Sequence, residues 1–126
     1  MTEQRKEILI REGEETWMLG LPLEDYFRLT EARPAFLGMK TNMYRGYVAV
    51  WALIDGFLWL VDIDESLPVR VASTGELVRL AVEMLFPGSG GRVPATWFTG
   101  TIEVPAGKYL ATLAGTSTSG RSTWAS

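Results

Sequence analysis

Residues 46–63 read Gly-Tyr-Val-Ala-Val-Trp-Ala-Leu-Ile-Asp-Gly-Phe-Leu-Trp-Leu-Val-Asp-Ile. Two apolar runs flank Asp55-Gly56, and an Asp-Gly pair supplies the two positive-φ positions of a type I′ turn. A two-residue loop sets the register, with Ile54 opposite Phe57, Trp51 opposite Leu60, Ala49 opposite Asp62 and Tyr47 opposite Asp64. One face of this hairpin carries Val48, Val50, Ala52, Ile54, Phe57, Trp59, Val61 and Ile63, with no polar side chain. The other carries Tyr47, Ala49, Trp51, Leu53, Leu58 and Leu60 and turns polar only at Asp62 and Asp64. A hairpin apolar on both faces belongs in the middle of a structure, covered on each side.

Working outward, Glu7 to Arg11 forms a strand that turns at Glu12-Gly13 into a second strand, Thr16 to Leu21, stopped by Pro22. Leu23, Tyr26, Phe27 and Leu29 are spaced for two helical turns. Arg33-Pro34 closes them, because the residue before proline is pushed out of the α region. Residues 35–45 read as a loop anchored by Phe36, Leu37 and Met39. Ser73 followed by Glu76 has the form of a capping box. Leu77, Leu80, Ala81, Met84 and Leu85 then predict a long helix over 74–86, ended by Pro87-Gly88. A third hairpin is expected from 95–104 and 108–113, with a bulge at Gly100. The fold class that follows is α+β: about six mainly antiparallel strands in a twisted sheet or half-barrel, with the 74–86 helix on one face. The alternative is an all-β barrel with an accessory helix. Residues 1–114 form a single domain, and the Gly/Ser/Thr-rich residues 115–126 are expected to be a disordered tail.

Composition prunes chemistry. At 126 residues the chain is one domain, able to bury about two-thirds of its unfolded surface. A net charge of −3 argues against a nucleic-acid binder that relies on neutralising phosphates. The start, Met-Thr-Glu-Gln-Arg-Lys-Glu, has no apolar stretch behind it, and no run is long enough to cross a bilayer. A cytoplasmic protein with no membrane partner is therefore expected. With no Cys and no His, Ser-His-Asp and Cys-His catalysis, sulfur-ligated metals and imidazole sites are excluded. What remains is carboxylate, Lys, Tyr or Ser/Thr chemistry, or an oxygen-ligated Mg²⁺ or Ca²⁺.

The ideal register brings Arg45, Tyr47, Asp62 and Asp64 to one end of one hairpin face, with Trp51 further in. Carboxylates, a guanidinium, a phenol and an indole over an apolar floor are the usual composition of a small-molecule site. The competing reading is an ion-paired strand exit. Asp62-Ile63-Asp64-Glu65 lacks the glycine and the spaced acids of a calcium loop, so no metal or other cofactor is expected. Pro-Gly-Ser-Gly-Gly at 87–91 follows a helix and lacks the closing Gly-Lys-Ser/Thr of a phosphate cradle. Alternation puts Trp97 with Thr99, Thr101 and Glu103 on a polar face, where a Trp marks a binding surface.

Pro22-Leu23-Glu24-Asp25-Tyr26-Phe27, Arg45-Gly46-Tyr47-Val48-Ala49-Val50-Trp51 and Leu58-Trp59-Leu60-Val61-Asp62-Ile63 occur in that order. With Trp97-Phe98-Thr99-Gly100-Thr101-Ile102 and Pro105-Ala106-Gly107-Lys108, this chain resembles a group of small bacterial proteins. They share the pattern P-L-E-x-Y-F, R-G-Y-x-A-x-W, L-x-L-x-D-I, W-[FY]-x-G-x-[IL] and P-x-G-K. The resemblance spans roughly residues 20–110 and carries no activity with it. After Leu113 the chain departs from the group, which has a Tyr-rich closing segment there.

Two functional classes follow. The first is a binding or accessory module for a protein partner or a small ligand, in keeping with a host-defence, toxin-immunity or mobile-element role. The second is a carboxylate-dependent enzyme using Asp62 or Asp64, with Arg45 orienting an anionic substrate. If Tyr26, Phe27, Phe36 and Leu37 leave the Trp51 and Leu60 face uncovered, a twofold homodimer is expected.

Overall fold

The computed structural model describes residues 3–105, 107–112 and 115–116. Its centre is the expected hairpin, β3 (Tyr47–Ile54) and β4 (Phe57–Ser66). Asp55 and Gly56 sit at φ 52° and 82°, so the tight turn has the two positive-φ positions that Asp-Gly suits. β1 (Glu7–Arg11) lies beside β3 in parallel, and β2 (Glu14–Met18) folds back antiparallel on β1. A short β7 (Val93–Pro94) pairs with the other edge of β4, giving the order β2-β1-β3-β4-β7. An isolated bridge between Leu19 and Glu103 carries the β2 edge on to β8 (Gly100–Val104). β9 (Gly107–Thr112) and β10 (Gly115–Thr116) continue from β8 and approach β4. The strand layer thus wraps around its core.

The inner face holds that core. Leu9, Met18, Ala49, Trp51, Leu58, Leu60 and Ile63 meet Ile102 and Val104 from β8, and Ala95 and Phe98 from the loop before it. α1 (Pro22–Thr30) lies on the same side, burying Leu23 and Phe27. Pro22 stops the preceding strand and then serves as the first helical residue, where its missing N–H costs nothing. α1 and Phe36 therefore cover the Trp51 and Leu60 face. No helix among the described residues is long and apolar enough to cross a membrane.

Three expectations are corrected. The first is register. It matches the ideal from Ile54↔Phe57 to Trp51↔Leu60, and then slips twice. Val61 and Asp64 are each an extra residue in β4, so Ala49 lies opposite Ile63 and Tyr47 opposite Ser66. Each bulge turns the following side chain to the other face. Burial of Ile63 is thereby bought at the expense of Asp62, which faces outward.

The second is the helix over 74–86. In its place β5 (Pro68–Arg70) and β6 (Leu77–Arg79) form a hairpin, followed by a four-residue helix α2 (Val82–Leu85). Gly75 at φ 76° closes the hairpin loop, and its N–H reaches the carbonyl of Val71. Thr74 Oγ1 accepts from the Glu76 N–H at 3.1 Å, so the apparent capping box is a turn. Val69 opposite Val78 is the β-branched pair that favours the sheet. The third is the strand count: the described residues form ten strands, not about six, and one central pairing is parallel. Among the described residues the fold is mostly β, with a mixed five-stranded sheet and two helices.

The expected third hairpin is shorter, because 95–99 turn between β7 and β8 and Gly100 begins β8. Of the expected disordered tail, Gly115–Thr116 pairs with β9, and residues 117–126 lie outside the described residues.

Gly46 enters β3 at φ 96°, and a Cβ there would stand 2.7 Å from the Phe36 ring. Gly13 also has positive φ, at 80°, but has nothing within 4 Å of such a Cβ. Gly46→Ala therefore adds overpacking, about 1–3 kcal/mol, to the backbone strain both positions share. Urea unfolding of the two Ala variants measures the difference directly, and equal losses would reject the Phe36 contact as the cause.

Candidate functional site

The polar cluster that β1 and β3 assemble is centred on Glu7, the first residue of β1. Glu7 is fully buried, because alternation along β1 puts Glu7 and Leu9 on the inner face. Four donors converge on its carboxylate. Arg45 gives Nη2 at 2.8 Å and Nε at 3.1 Å to Oε2, the Ala49 N–H reaches the same oxygen at 3.0 Å, and Trp51 Nε1 reaches Oε1 at 2.9 Å. The Arg45 side chain is itself only 9% exposed. Burial pushes the Glu7 carboxyl above its ordinary value, against the opposing pull of Arg45 and the hydrogen bonds from Trp51 and Ala49.

Further polar contacts extend from Tyr47. Its hydroxyl donates to Glu24 Oε2 at 2.6 Å, and Arg33 holds Glu24 through both carboxylate oxygens. Arg33 also donates to the Arg45 carbonyl at 2.6 Å, joining the two clusters. The Tyr47 ring stacks on Phe36 and meets Phe27 edge-on, and Arg45 lies over its face. Burial, then the charge of Glu7 and the bond to Glu24, drive the phenol far above its ordinary range. The hydroxyl stays protonated and serves as a donor.

Of the six residues singled out from sequence, Arg45, Tyr47, Trp51 and Trp97 come together and Asp62 and Asp64 do not join them. Trp97 is not on a polar face. It packs on Trp51, Tyr26 and Phe86, and its Nε1 donates to the Pro22 carbonyl at 2.7 Å. Asp62 accepts from the Ile63 N–H at 2.8 Å. Asp64 pairs with Arg5 at 3.3 Å, and Glu65 beside it binds Arg5 and Lys40. The Lys40 hydrogen bond holds the Glu65 carboxyl below its ordinary value. The strand-exit ion pairs are thus real, with Arg5 and Lys40 as partners while Arg45 turns inward to Glu7. Among the described residues no cluster of three or more His, Cys, Asp or Glu is placed to hold a metal ion.

An apolar concave surface lies elsewhere. A groove of about 410 Å³ opens between the segment after α1, β5 and α2. Pro34, Ala35 and Leu37 form one wall, Leu80, Met84 and Leu85 the other, and Val69 and Arg70 the floor and rim. Leu37 and Met84 are partly open to solvent. A bridge between Phe36 and Val69, with the Leu37 N–H donating to the Pro68 carbonyl at 2.8 Å, fixes the first wall to β5. The misassigned helix hid this groove, since only the β5–β6 hairpin brings Val69 and Leu80 to the 34–37 segment.

No protein-family model, curated protein or solved structure matches the chain.

Removing one partner of a buried ion pair leaves the other charge uncompensated, at a cost of about 3–5 kcal/mol. Glu7→Ala is expected to lose stability on that scale in urea unfolding. Because the folded-state value of Glu7 is raised, its contribution is complete below the ordinary value of 4.5 and fades as pH rises through the folded value. Glu7→Gln removes this dependence. The stability difference, wild type minus Gln, should therefore shrink as pH rises from 4.5; a difference that grows would reverse the sign assigned to burial.

Proposed function

We propose that the chain is a small binding module that seats an apolar ligand group in the groove between residues 34–37, β5 and α2. The observation that carries this reading is the groove itself: apolar side chains on both walls and one guanidinium, Arg70, at the rim. Its volume falls within the range of small-ligand sites, which are mostly apolar with a few polar groups to fix orientation. Arg70 donates one bond to the Gly75 carbonyl at 2.8 Å, which holds the guanidinium over the β5–β6 turn. An aliphatic carboxylate, free or at the end of a peptide, matches that combination. The motif pattern shared with small bacterial proteins is compatible with such a module and adds no activity to it.

The carboxylate-enzyme alternative loses its support. It required Asp62 and Asp64 beside Arg45 and Tyr47, whereas Asp64 is paired with Arg5, and Arg45 with the buried Glu7.

Octanoate, an apolar chain with one carboxylate, is the probe. In an NMR titration its addition should move the resonances of Leu37, Val69, Met84 and Leu85. Met84→Asp, at a partly exposed position, should abolish those shifts without lowering the melting temperature, and Arg70→Ala should weaken binding several-fold. Shifts confined to residues outside the groove, or none, would overturn the assignment.

A further inference from the structure

The sheet has a second face. Both helices of the described residues and the main buried cluster lie on the inner side, while the outer side of β2, β1, β3 and β4 is apolar between its charged ends. The pairings define two rows. One runs Trp17, Ile8, Val50, Asp62, and the other Glu15, Ile10, Ala52, Trp59. Beyond them, at the hairpin turn, Ile54 and Phe57 are 38% and 44% exposed, and Trp17 at the far edge is 38% exposed. Val50 and Ala52 are small and sunk between the taller side chains of β1 and β4. The Arg5, Lys40 and Glu65 cluster bounds the face at the end remote from the turn.

Charge is distributed over this face with a particular symmetry. On the β2 side Lys6, just before β1 and also paired with Glu3 at 2.9 Å, stands over Trp17 in the first row, and Glu15 on β2 ends the second. At the β4 edge the signs are reversed: Asp62 ends the first row, and Arg92 stands over Trp59 in the second. A twofold axis running along β3 lays β1 and β2 of one copy over β4 and the β7 edge of another. It sets Lys6 against the partner's Asp62 and Glu15 against the partner's Arg92, each contact occurring twice. The low centre at Val50 and Ala52 receives itself across the axis, with bulky residues interlocking on either side.

We propose that this outer face is a homodimer interface, with the twofold axis along β3 and Glu15 paired with the partner's Arg92. Size sets its strength. Four strands about 4.8 Å apart, crossed by the eight residues of β3, give a footprint of roughly 500 Å² per copy. That is below the roughly 800 Å² per partner of a standard stable interface, so the dimer is a weak one that assembles at micromolar concentrations. The groove of the proposed function lies on the other side of the sheet, and the dimer leaves it open.

The test is the mass of the full-length chain by light scattering and sedimentation across the micromolar range. The expected result is a concentration-dependent rise from 14.0 kDa towards twice that value. Glu15→Lys and Arg92→Glu each put like charges together twice per dimer, and each should weaken the dimer by about tenfold or more. The double variant restores opposite charges and should recover dimerisation. Both positions are exposed, so unchanged melting curves separate loss of assembly from loss of fold. A mass that stays at 14.0 kDa at every concentration overturns the interface. So does a dimer indifferent to both single variants, or one that the double variant fails to restore. The octanoate titration is read separately, since it reports only on the groove.

Discussion

Glu7 is the constraint around which the sheet is organised. A carboxylate buried in an apolar core is costly unless its charge is paired and its lone pairs are satisfied. Here a guanidinium, a backbone amide and an indole all come from a single seven-residue span of one strand and its entry, Arg45 to Trp51. β1 and β3 run parallel, and parallel neighbours lack a short turn to set their register. The carboxylate supplies what the missing turn cannot. A slip of one residue would turn Glu7 to the outer face, strand Arg45 inside, and expose Leu9. The polar cluster therefore selects one alignment of β1 on β3, whatever its net contribution to stability.

Segments far apart in the sequence meet at this cluster. Arg45 and Trp51 bind Glu7; Tyr47, two residues from Arg45, binds Glu24 of the Pro-Leu-Glu segment. Gly46 is required by the approach of Phe36, and Ala49 contributes the amide to Glu7. Trp97 ties the distant Trp-Phe segment to the Pro22 carbonyl. Each of these side chains has its polar atoms occupied within the chain. They join α1 to β3 and to the loop before β8, and the arrangement is that of a framework. An arginine, a tyrosine and a tryptophan close together in sequence look like a binding site, and the two carboxylates that make them structural, Glu7 and Glu24, stand well upstream.

The central hairpin was legible because its turn chemistry and its apolar runs agree. Asp55-Gly56 fixes the near end, and the register holds for four pairs. It fails where β4 must keep Ile63 inside after an odd number of residues, and nothing in a period-two pattern announces an inserted residue. α1 was legible from its spacing and from Pro22. The 74–86 segment misled because Leu77, Leu80, Ala81, Met84 and Leu85 fit helical spacing, while Gly75 and the valine pair Val69–Val78 favour a hairpin through contacts distant in sequence. Glu7 was illegible for the same reason: among Glu3, Arg5 and Lys6 it looks like one more solvated charge. Only the inward position shared with Leu9, and a waiting Arg45, make its burial tolerable. The groove between residues 34–37, β5 and α2 could not be read before that hairpin was known.

The two sides of the sheet thus invert the usual expectation. The inner side, beneath α1, carries a buried carboxylate, a nearly buried guanidinium and a hydrogen-bonded phenol; the outer side carries Ile8, Ile10, Trp59 and Phe57. A central strand that is apolar on both faces needs cover on both, and α1 with the β8 strand supplies it only on the inside. The bulge at Val61 adds to the imbalance: it sends Ile63 inward and leaves Asp62 as the acid that ends an apolar row. An isolated sheet face is marked by charges scattered to keep other sheets away. On this face the charges stand only at the edges, with opposite signs at opposite ends of each row, and the middle is left apolar. That distribution does not repel a second sheet. It orients one.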